Sequence, residues 1–378
     1  MILITAFMTG GNIMLVYLYY PLLLLLLFFG ARVCKKGEWN EDVLSFGTTK
    51  AFLGFCSIII IFHHCSQRLC APWLAPFRIV HGLDAFVFVG YLCVAVFFFC
   101  SGYGMFTASK SKEGFWNKFF VKRILPVIIP ATIIWLVFFV IEKYKKVHIE
   151  KPLWINTYDY IWYIPALIYM YLVFYLSFRI IKNEKAGIAV LIGGVVLYSV
   201  VCFLFSPGTW WYNTHHLFAA GVITARKKDK IISGLKKGYV PLIVIMTVIT
   251  ALAFAWASYY YQLITAMGGQ YNDLAHGITE LFGQKISALT FVILVVLIGM
   301  KIKIGNKVLA FLGTITLEIY LVHPLFVQLF GFAFVNESGK PLYHIQNQFL
   351  YLAAVILPAI PIAWVLHKGV SFICGKKR

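Results

Sequence analysis

Histidines stand in three segments of the chain that are otherwise apolar, and histidine is the side chain best suited to moving protons near neutral pH. An uncharged imidazole in a site that excludes water can act as a general base on a hydroxyl group. Because a strongly polar side chain is costly in an apolar segment, each one is a candidate for function. The histidines concerned are His63, His64, His215, His216 and His323.

Helical spacing places His64 on a face that begins with a cation. The residues at i, i+4, i+7, i+11 and i+14 of this face are Lys50, Gly54, Ser57, Ile61 and His64. His63 points about 100° away from that face. Two interfacial histidines at the end of a helix are the simpler interpretation of the pair. It fits His63 better than His64, because His64 continues a polar face.

A second helical face combines hydroxyl groups with an imidazole. Thr316, Tyr320 and His323 stand at i, i+4 and i+7 and share one side of a helix. A histidine in the bilayer that faces a tyrosine and a threonine is a candidate for function, and a structural role is the alternative. Glu318 points elsewhere and is the only acidic residue that we place deep in an apolar segment, so we expect it to be paired or protonated.

Two further segments offer groups that could bind a ligand. The stretch 97–104 combines small residues with the hydroxyl groups of Ser101 and Tyr103. Glycines there permit the close approach of a ligand, and close helix packing is the alternative. Lys122 and Arg123 precede another apolar segment, where an ordinary basic loop is the alternative to a phosphate site.

Five imidazoles also raise the question of a metal site. Adjacent histidines on one helix rarely chelate the same ion, the HExxH spacing is missing, and acidic residues are few. We therefore predict no metal ligands. Nucleophile-elbow, Walker A and dinucleotide glycine patterns are also missing from the sequence.

The composition indicates the elements that carry these residues. The chain has 378 residues, of which 61% are hydrophobic and 12% charged, with a mean hydropathy of +0.84. Such values exclude a water-facing domain, and no strand-length alternation supports an outer-membrane barrel. The net charge of +19 lies in short loops between apolar segments, which favours membrane orientation over nucleic-acid binding. We predict an all-α polytopic membrane bundle.

About 20 apolar residues are needed for each crossing. The predicted spans are 13–31, 52–67, 83–107, 124–142, 158–178, 186–205, 210–225, 238–262, 285–300, 308–335 and 348–370. Loops on one side carry 25 Lys and Arg, those on the other carry seven, and Lys285 lies at a boundary. Because cytoplasmic loops retain basic residues, we expect the N-terminus outside and the C-terminus in the cytoplasm of a cell-membrane protein. The first span is expected to be an anchor rather than a cleaved signal peptide.

Six short motifs follow one another along the chain. They are His63-His64; Phe98-Phe99-Cys100-Ser101-Gly102-Tyr103; Lys122-Arg123 with Pro126 and Pro130; Trp162-Tyr163-Ile164-Pro165; Phe218 to Gly221; and Thr316-Leu317-Glu318-Ile319-Tyr320-Leu321-Val322-His323. In this order they resemble the acyltransferase-3 family of multipass O-acyltransferases, which act on cell-envelope and other glycans, macrolides and lipids. The resemblance covers residues 48–372. It implies a ten-helix core that begins and ends in the cytoplasm, so we divide the chain into an N-terminal helix with a linker, 1–47, and a membrane domain, 48–378.

The resemblance also implies a basic residue separated by ten residues from an essential histidine, and here the chain departs from the family. Counting back from His64 reaches Leu53, and counting back from His63 reaches Phe52. Lys50 lies about one turn before Leu53 and on the same helical face as His64. We expect it to take the place of that basic residue.

The activity implied is transfer of an acyl group, expected to be acetyl, from acyl-CoA to a hydroxyl of a cell-envelope glycan or a lipid-linked sugar. Acyl-CoA is a substrate, and no resident cofactor is expected. The predicted catalytic residues are His64 as general base, His63, Tyr320 and His323. We expect Tyr320 and His323 to orient the acceptor or to stabilise the developing oxyanion. The predicted donor-binding residues are Lys50, Lys122, Arg123, Ser101 and Tyr103, and the basic cluster 226–237 is a further candidate for the donor phosphates.

Two other classes of function remain open at this stage. A transporter or flippase for a glycan or lipid-linked substrate also uses intramembrane polar residues, although the sequence has no inverted repeat. A catalytically silent member that binds acyl groups is the third possibility, because the basic partner is displaced. The sequence does not indicate the acceptor, the acyl length, the side on which transfer ends or the oligomeric state.

Overall fold

The computed structural model describes residues 17–74, 79, 81–145, 162–205, 208–270, 273–331, 345 and 347–375. Its helices in chain order are α1 (Tyr19–Phe28), α2 (Phe46–Leu69), α3 (Gly90–Ser111), α4 (Phe119–Arg123), α5 (Leu125–Lys145), α6 (Tyr163–Tyr175), α7 (Glu184–Phe205), α8 (His216–Arg226), α9 (Lys228–Lys237), α10 (Tyr239–Ala266), α11 (Asp273–Gly299), α12 (Lys307–Leu312), α13 (Thr316–Phe330) and α14 (Gln348–Ile373). Two short strands, β1 (Arg32–Val33) and β2 (Ile302–Lys303), pair antiparallel. The predicted all-α class is confirmed.

Length and hydropathy make this bundle a polytopic membrane protein. Seven helical segments within the described residues are long and apolar enough to cross a bilayer. They are 46–74, 83–111, 163–180, 184–205, 239–266, 274–299 and 348–373. Shorter apolar helices cover Tyr19–Phe28, Leu125–Ile141 and Thr316–Phe330. Many of their outward side chains are large and exposed, as a lipid-facing surface requires.

Several predicted spans need correction. The tenth, 308–335, is interrupted, because α12 ends at Leu312 and α13 begins at Thr316, and its residues 332–335 lie outside the described part. The seventh, 210–225, opens with a single 3-10 turn, so α8 has only 11 residues. The ninth begins at Asp273 rather than at residue 285, so most of the predicted polar loop 263–284 is helical. Polar residues there lowered the hydropathy without ending the helix.

Ion pairs gather the basic loops on one face of the bundle. Glu184 accepts hydrogen bonds from both Lys110, at 2.7 Å, and Arg226, at 2.5 Å, and so joins the ends of α3, α7 and α8. Lys236 binds Glu41, at 2.6 Å, and the β1–β2 ladder joins the segments 29–45 and 300–307. We call the surface formed by these loops the basic face.

Glycines allow close helix crossings around the site. A Cβ on Gly54 of α2 would collide with the carbonyl oxygen of Leu309, and one on Gly313 would collide with that of Lys50. The polar face of α2 therefore packs against α12 and the break that follows it. In the same way Gly102 of α3 lies against the Phe218 carbonyl of α8, so helix packing accounts for this glycine of the 97–104 stretch.

Candidate functional site

Three imidazoles meet between α2 and α13. The rings of His64 and His323 are stacked, with centroids 5.2 Å apart and planes 29° apart. The ring of His63 lies 4.8 Å from that of His64. His323 is fully buried, while His63 and His64 are partly buried. The two helical faces that the sequence predicts are therefore in contact.

Hydrogen bonds orient the two stacked rings. His323 donates from Nδ1 to the carbonyl oxygen of Ile319, 2.8 Å away, because a carbonyl can only accept. Its Nε2 is then the basic nitrogen of the neutral ring, and it makes no hydrogen bond to any described residue. His64 Nδ1 lies 3.0 Å from Oε1 of Gln67, one turn further along α2. With that amide oxygen as acceptor, Nε2 is also the basic nitrogen of a neutral His64.

His63 occupies a different environment. Its Nδ1 donates to the carbonyl oxygen of Phe86, 2.9 Å away. The ring packs so closely on Gly90, the first residue of α3, that a Cβ there would collide with it. His63 thus fastens α2 to the start of α3, on a side of the helix that differs from the face of His64.

A cavity of about 680 Å³ enters the bundle from the basic face. It runs between α2, α3, α6 and the start of α13. Its deeper walls are mainly apolar and include Leu53, Ile60, Val94, Phe97 and Leu167. This shape suits a long ligand with a polar head and a slender apolar arm.

The mouth of the cavity is cationic. Lys50, Lys112, Arg123 and Lys228 line it, and no acidic residue is among the described residues of its lining. The guanidinium of Arg123 lies 4.9 Å above the ring of Phe115, which fixes its position. Such a mouth attracts anionic groups such as phosphates.

Hydroxyl groups interrupt the apolar wall halfway along. Ser101 of α3 hydrogen-bonds to the hydroxyl of Tyr171 on α6, with 3.0 Å between the oxygens, and both residues line the cavity. Tyr103 lines it nearer the mouth and stacks on Phe99. These groups can hold an amide or hydroxyl of a bound ligand.

Two buried tyrosines line the cavity beside the imidazole cluster. Tyr163 and Tyr320 both line it, and their rings meet edge to face with centroids 5.4 Å apart. Beyond them the ring of His323 lies 6.3 Å from that of Tyr320. His323 is therefore next to a lining residue of the cavity, although neither stacked imidazole lines the cavity itself.

Glu318 has a buried partner on the last helix. Its Oε1 lies 2.7 Å from Nδ1 of His367, and Glu318 is only 5% exposed. The expectation that this acid is paired is confirmed. Glu318 is not among the residues that line the cavity, so the pair ties α13 to α14 beside the site.

The structure brings together most of the residues that the sequence singled out. His64, His63, His323 and Tyr320 form one cluster, while Lys50, Arg123, Ser101 and Tyr103 line the cavity that leads to it. Lys122 is the exception, because it is exposed and does not line the cavity. The other histidine pair lies elsewhere, where His215 Nε2 donates to the carbonyl of Val195.

Sequence reasoning missed several residues of the site. They are Gln67, Lys112, Tyr171 and His367. Gln67 stands one turn from a histidine, and His367 is a polar residue in an apolar helix, so both carried a signal. For Tyr171, one of many aromatic residues, we find none.

Comparison with known families gives one match. The family model described as an acyltransferase domain, Acyl_transf_3, matches residues 54–368. The matched range holds all of the imidazole cluster and most of the cavity, while Lys50 lies just before it. No curated protein and no solved structure matches the chain.

Proposed function

Because this chain belongs to the acyltransferase-3 family, we propose that it is an O-acyltransferase of the cell membrane. It moves an acyl group, expected to be acetyl, from acyl-CoA to a hydroxyl of a cell-envelope glycan or a lipid-linked sugar. The basic face is cytoplasmic in this proposal, so the donor arrives from the cytoplasm and the N-terminus lies outside.

One observation carries the proposal. A cavity with four cations at its mouth leads through an apolar passage to Tyr163 and Tyr320, next to the stacked imidazoles of His64 and His323. Acyl-CoA has the same sequence of chemical features, with phosphates at one end, a flexible arm and a thioester at the other end.

The cavity suggests a position for each part of the donor. Its phosphates contact Lys50, Lys112, Arg123 and Lys228, whose positive charges attract them. The arm lies along the apolar wall, with Ser101 and Tyr171 available to its amide groups. The thioester then lies near Tyr320.

His64 supplies the base. Its basic nitrogen takes the proton of the acceptor hydroxyl while the hydroxyl oxygen attacks the thioester carbon. Tyr320, whose hydroxyl makes no hydrogen bond among the described residues, donates to the oxyanion of the tetrahedral intermediate. The carbon–sulfur bond then breaks, and the imidazolium returns its proton to the departing CoA sulfur. His323 supports the ring of His64 by stacking.

The test uses the full chain, purified and reconstituted in lipid nanodiscs, with radiolabelled acetyl-CoA and a crude envelope glycan fraction. We expect free CoA thiol and labelled glycan to appear in equal amounts. His64→Ala should lower both by roughly 100-fold or more, the usual loss when a general base is removed. His81→Ala, which removes an exposed histidine outside the cluster, is the matched control.

Two results would contradict the proposal. Full transfer by His64→Ala would remove the proposed base. Movement of glycan across a vesicle membrane without release of CoA would show that the protein is a transporter or flippase.

A further inference from the structure

A second cavity, of about 550 Å³, opens on the basic face beside the first turn of α2. It is separate from the first cavity, and the two share only Ser45 among their lining residues. Its walls come from the end of α1, β1, the start of α2, β2 and α12. The proposed chemistry does not use it.

The charge of this second cavity is of one sign. Arg32, Lys303 and Lys307 line it, together with the hydroxyl-bearing Ser45 and Thr48, and no acidic residue lines it among the described part of the chain. Asp42 contacts Lys303 at 3.2 Å, but both side chains are exposed, so water screens this pair. Two of the three cations have no ion pair to a described acidic residue. The cavity therefore suits a ligand that carries negative charge.

The residues that border the cavity are apolar and face outward. Phe29 is 67% exposed, Val33 74% and Val308 56%, and each is adjacent in sequence to a lining residue. On α1, which leads to the cavity, Leu22 and Leu25 are more than half exposed as well. Side chains of this kind belong in contact with lipid at the end of a membrane helix. A soluble phosphate or nucleotide has no part that would use them.

We propose that the second cavity binds the headgroup of an anionic phospholipid from the leaflet at the basic face. The phosphate contacts Arg32, Lys303 and Lys307, and the acyl chains lie along the exposed side of α1 and past Val308. Anionic headgroups are attracted to clusters of basic residues at this depth of the bilayer. The bound lipid joins α1 and the β1–β2 ladder to the start of α2.

The experiment titrates short-chain phosphatidylglycerol into the detergent-solubilised full chain and follows the thermal unfolding midpoint. Because a ligand that binds only the folded state raises this midpoint, we expect a saturable rise of several degrees. Phosphatidylcholine with the same chains should produce none. Inorganic phosphate and glycerol 3-phosphate are the soluble probes, and neither should reproduce the rise.

A matched pair of triple variants tests the cavity itself. Arg32→Gln/Lys303→Gln/Lys307→Gln should raise the half-saturating lipid concentration roughly tenfold or more, since three contacts to one phosphate are lost. Arg179→Gln/Lys182→Gln/Lys185→Gln removes the same number of charges from exposed positions elsewhere on the basic face. This control should leave the half-saturating lipid concentration unchanged. If the first variant does not purify as a folded protein, the three single substitutions are titrated, and each should raise that concentration.

The proposal is overturned by an equal shift in both triple variants, which indicates unspecific attraction to the basic face. It is also overturned if none of the single substitutions changes the lipid response. A rise in the midpoint with glycerol 3-phosphate or with phosphate alone, lost in the first triple variant, would instead assign the cavity to a soluble ligand.

Discussion

The imidazole ring of His64 lies flat against that of His323, with 5.2 Å between the ring centroids. The contact joins α2 to α13, and the hydrogen bond from His323 to the carbonyl of Ile319 fixes the ring of His323. His323 and Gln67 together therefore set the orientation of the His64 ring. The basic nitrogen of His323 is buried without a partner among the described residues, so it is available to a substrate group.

Substitution of His323 should affect turnover more than donor binding. We expect His323→Ala to lower kcat by roughly 10- to 100-fold, because the base loses its support, with little change in the KM for acyl-CoA, since His323 does not line the donor cavity. Steady-state kinetics on the reconstituted protein measure both values. His276→Ala, at another partly buried histidine, serves as control. A large rise in KM with an unchanged kcat would contradict this role.

Removal of one oxygen atom tests Tyr320. Tyr320→Phe keeps the ring that lines the cavity and removes the hydroxyl, so we expect kcat to fall by roughly 100-fold, as for the loss of one oxyanion donor. Tyr259→Phe removes a hydroxyl from a residue that is 47% exposed and should leave kcat unchanged. Unchanged kcat in Tyr320→Phe would limit Tyr320 to a steric role.

The cationic mouth should govern donor affinity. Arg123→Gln and Lys228→Gln are each expected to raise the KM for acyl-CoA by roughly tenfold, and the effect should shrink as ionic strength rises, because salt screens exposed charges. Lys182→Gln removes an exposed cation of the basic face outside the cavity and should leave KM unchanged. Equal KM values in all three variants would show that the donor phosphates bind elsewhere.

The Glu318–His367 pair should contribute to stability. Glu318→Ala or His367→Ala leaves one polar group buried without its partner, so each should lower the free energy of unfolding by about 3 kcal/mol. The double variant should lose less than the sum of the two, because the same contact is removed twice. Thermal or denaturant unfolding in detergent measures the cycle. Strict additivity would mean that the two groups do not interact.

The crossing of α3 and α8 should not accept a methyl group. Gly102→Ala places a Cβ against the Phe218 carbonyl, and we expect a loss of about 1 to 3 kcal/mol in unfolding free energy, the usual cost of overpacking. Gly104→Ala on the same helix has open space around its Cβ and should be neutral or slightly stabilising. The unfolding midpoints of the two variants compare them directly.

Helical periodicity predicted which residues share a face but not what each face contacts. The face from Lys50 to His64 was correct as a face, and its neighbour appeared only in the fold, where Gly54 meets Leu309 and His64 meets His323. Periodicity is a property of one helix, whereas contacts between helices depend on the whole bundle.

Helix ends and breaks were predicted least well. Hydropathy marks the part of a helix that lies in hydrocarbon, so it missed the polar first turns of α11. It also missed the break between α12 and α13 at Gly313, where the backbone of α2 packs against this glycine. Lys122 and Arg123 look alike in the sequence, yet on the short helix α4 only Arg123 points into the cavity. Adjacent residues on a helix diverge by about 100°, so composition cannot separate them.

The edge-to-face contact of Tyr163 with Tyr320 has a consequence for the cell as well as for the reaction. These two rings line the cavity that opens at the basic face, on the side next to the imidazole cluster. A passage open at both ends would fill with water and let ions leak, which would discharge the gradient across the membrane. Under the proposed function, the two aromatic rings therefore lie between a deeply bound anionic donor and the far side of the membrane.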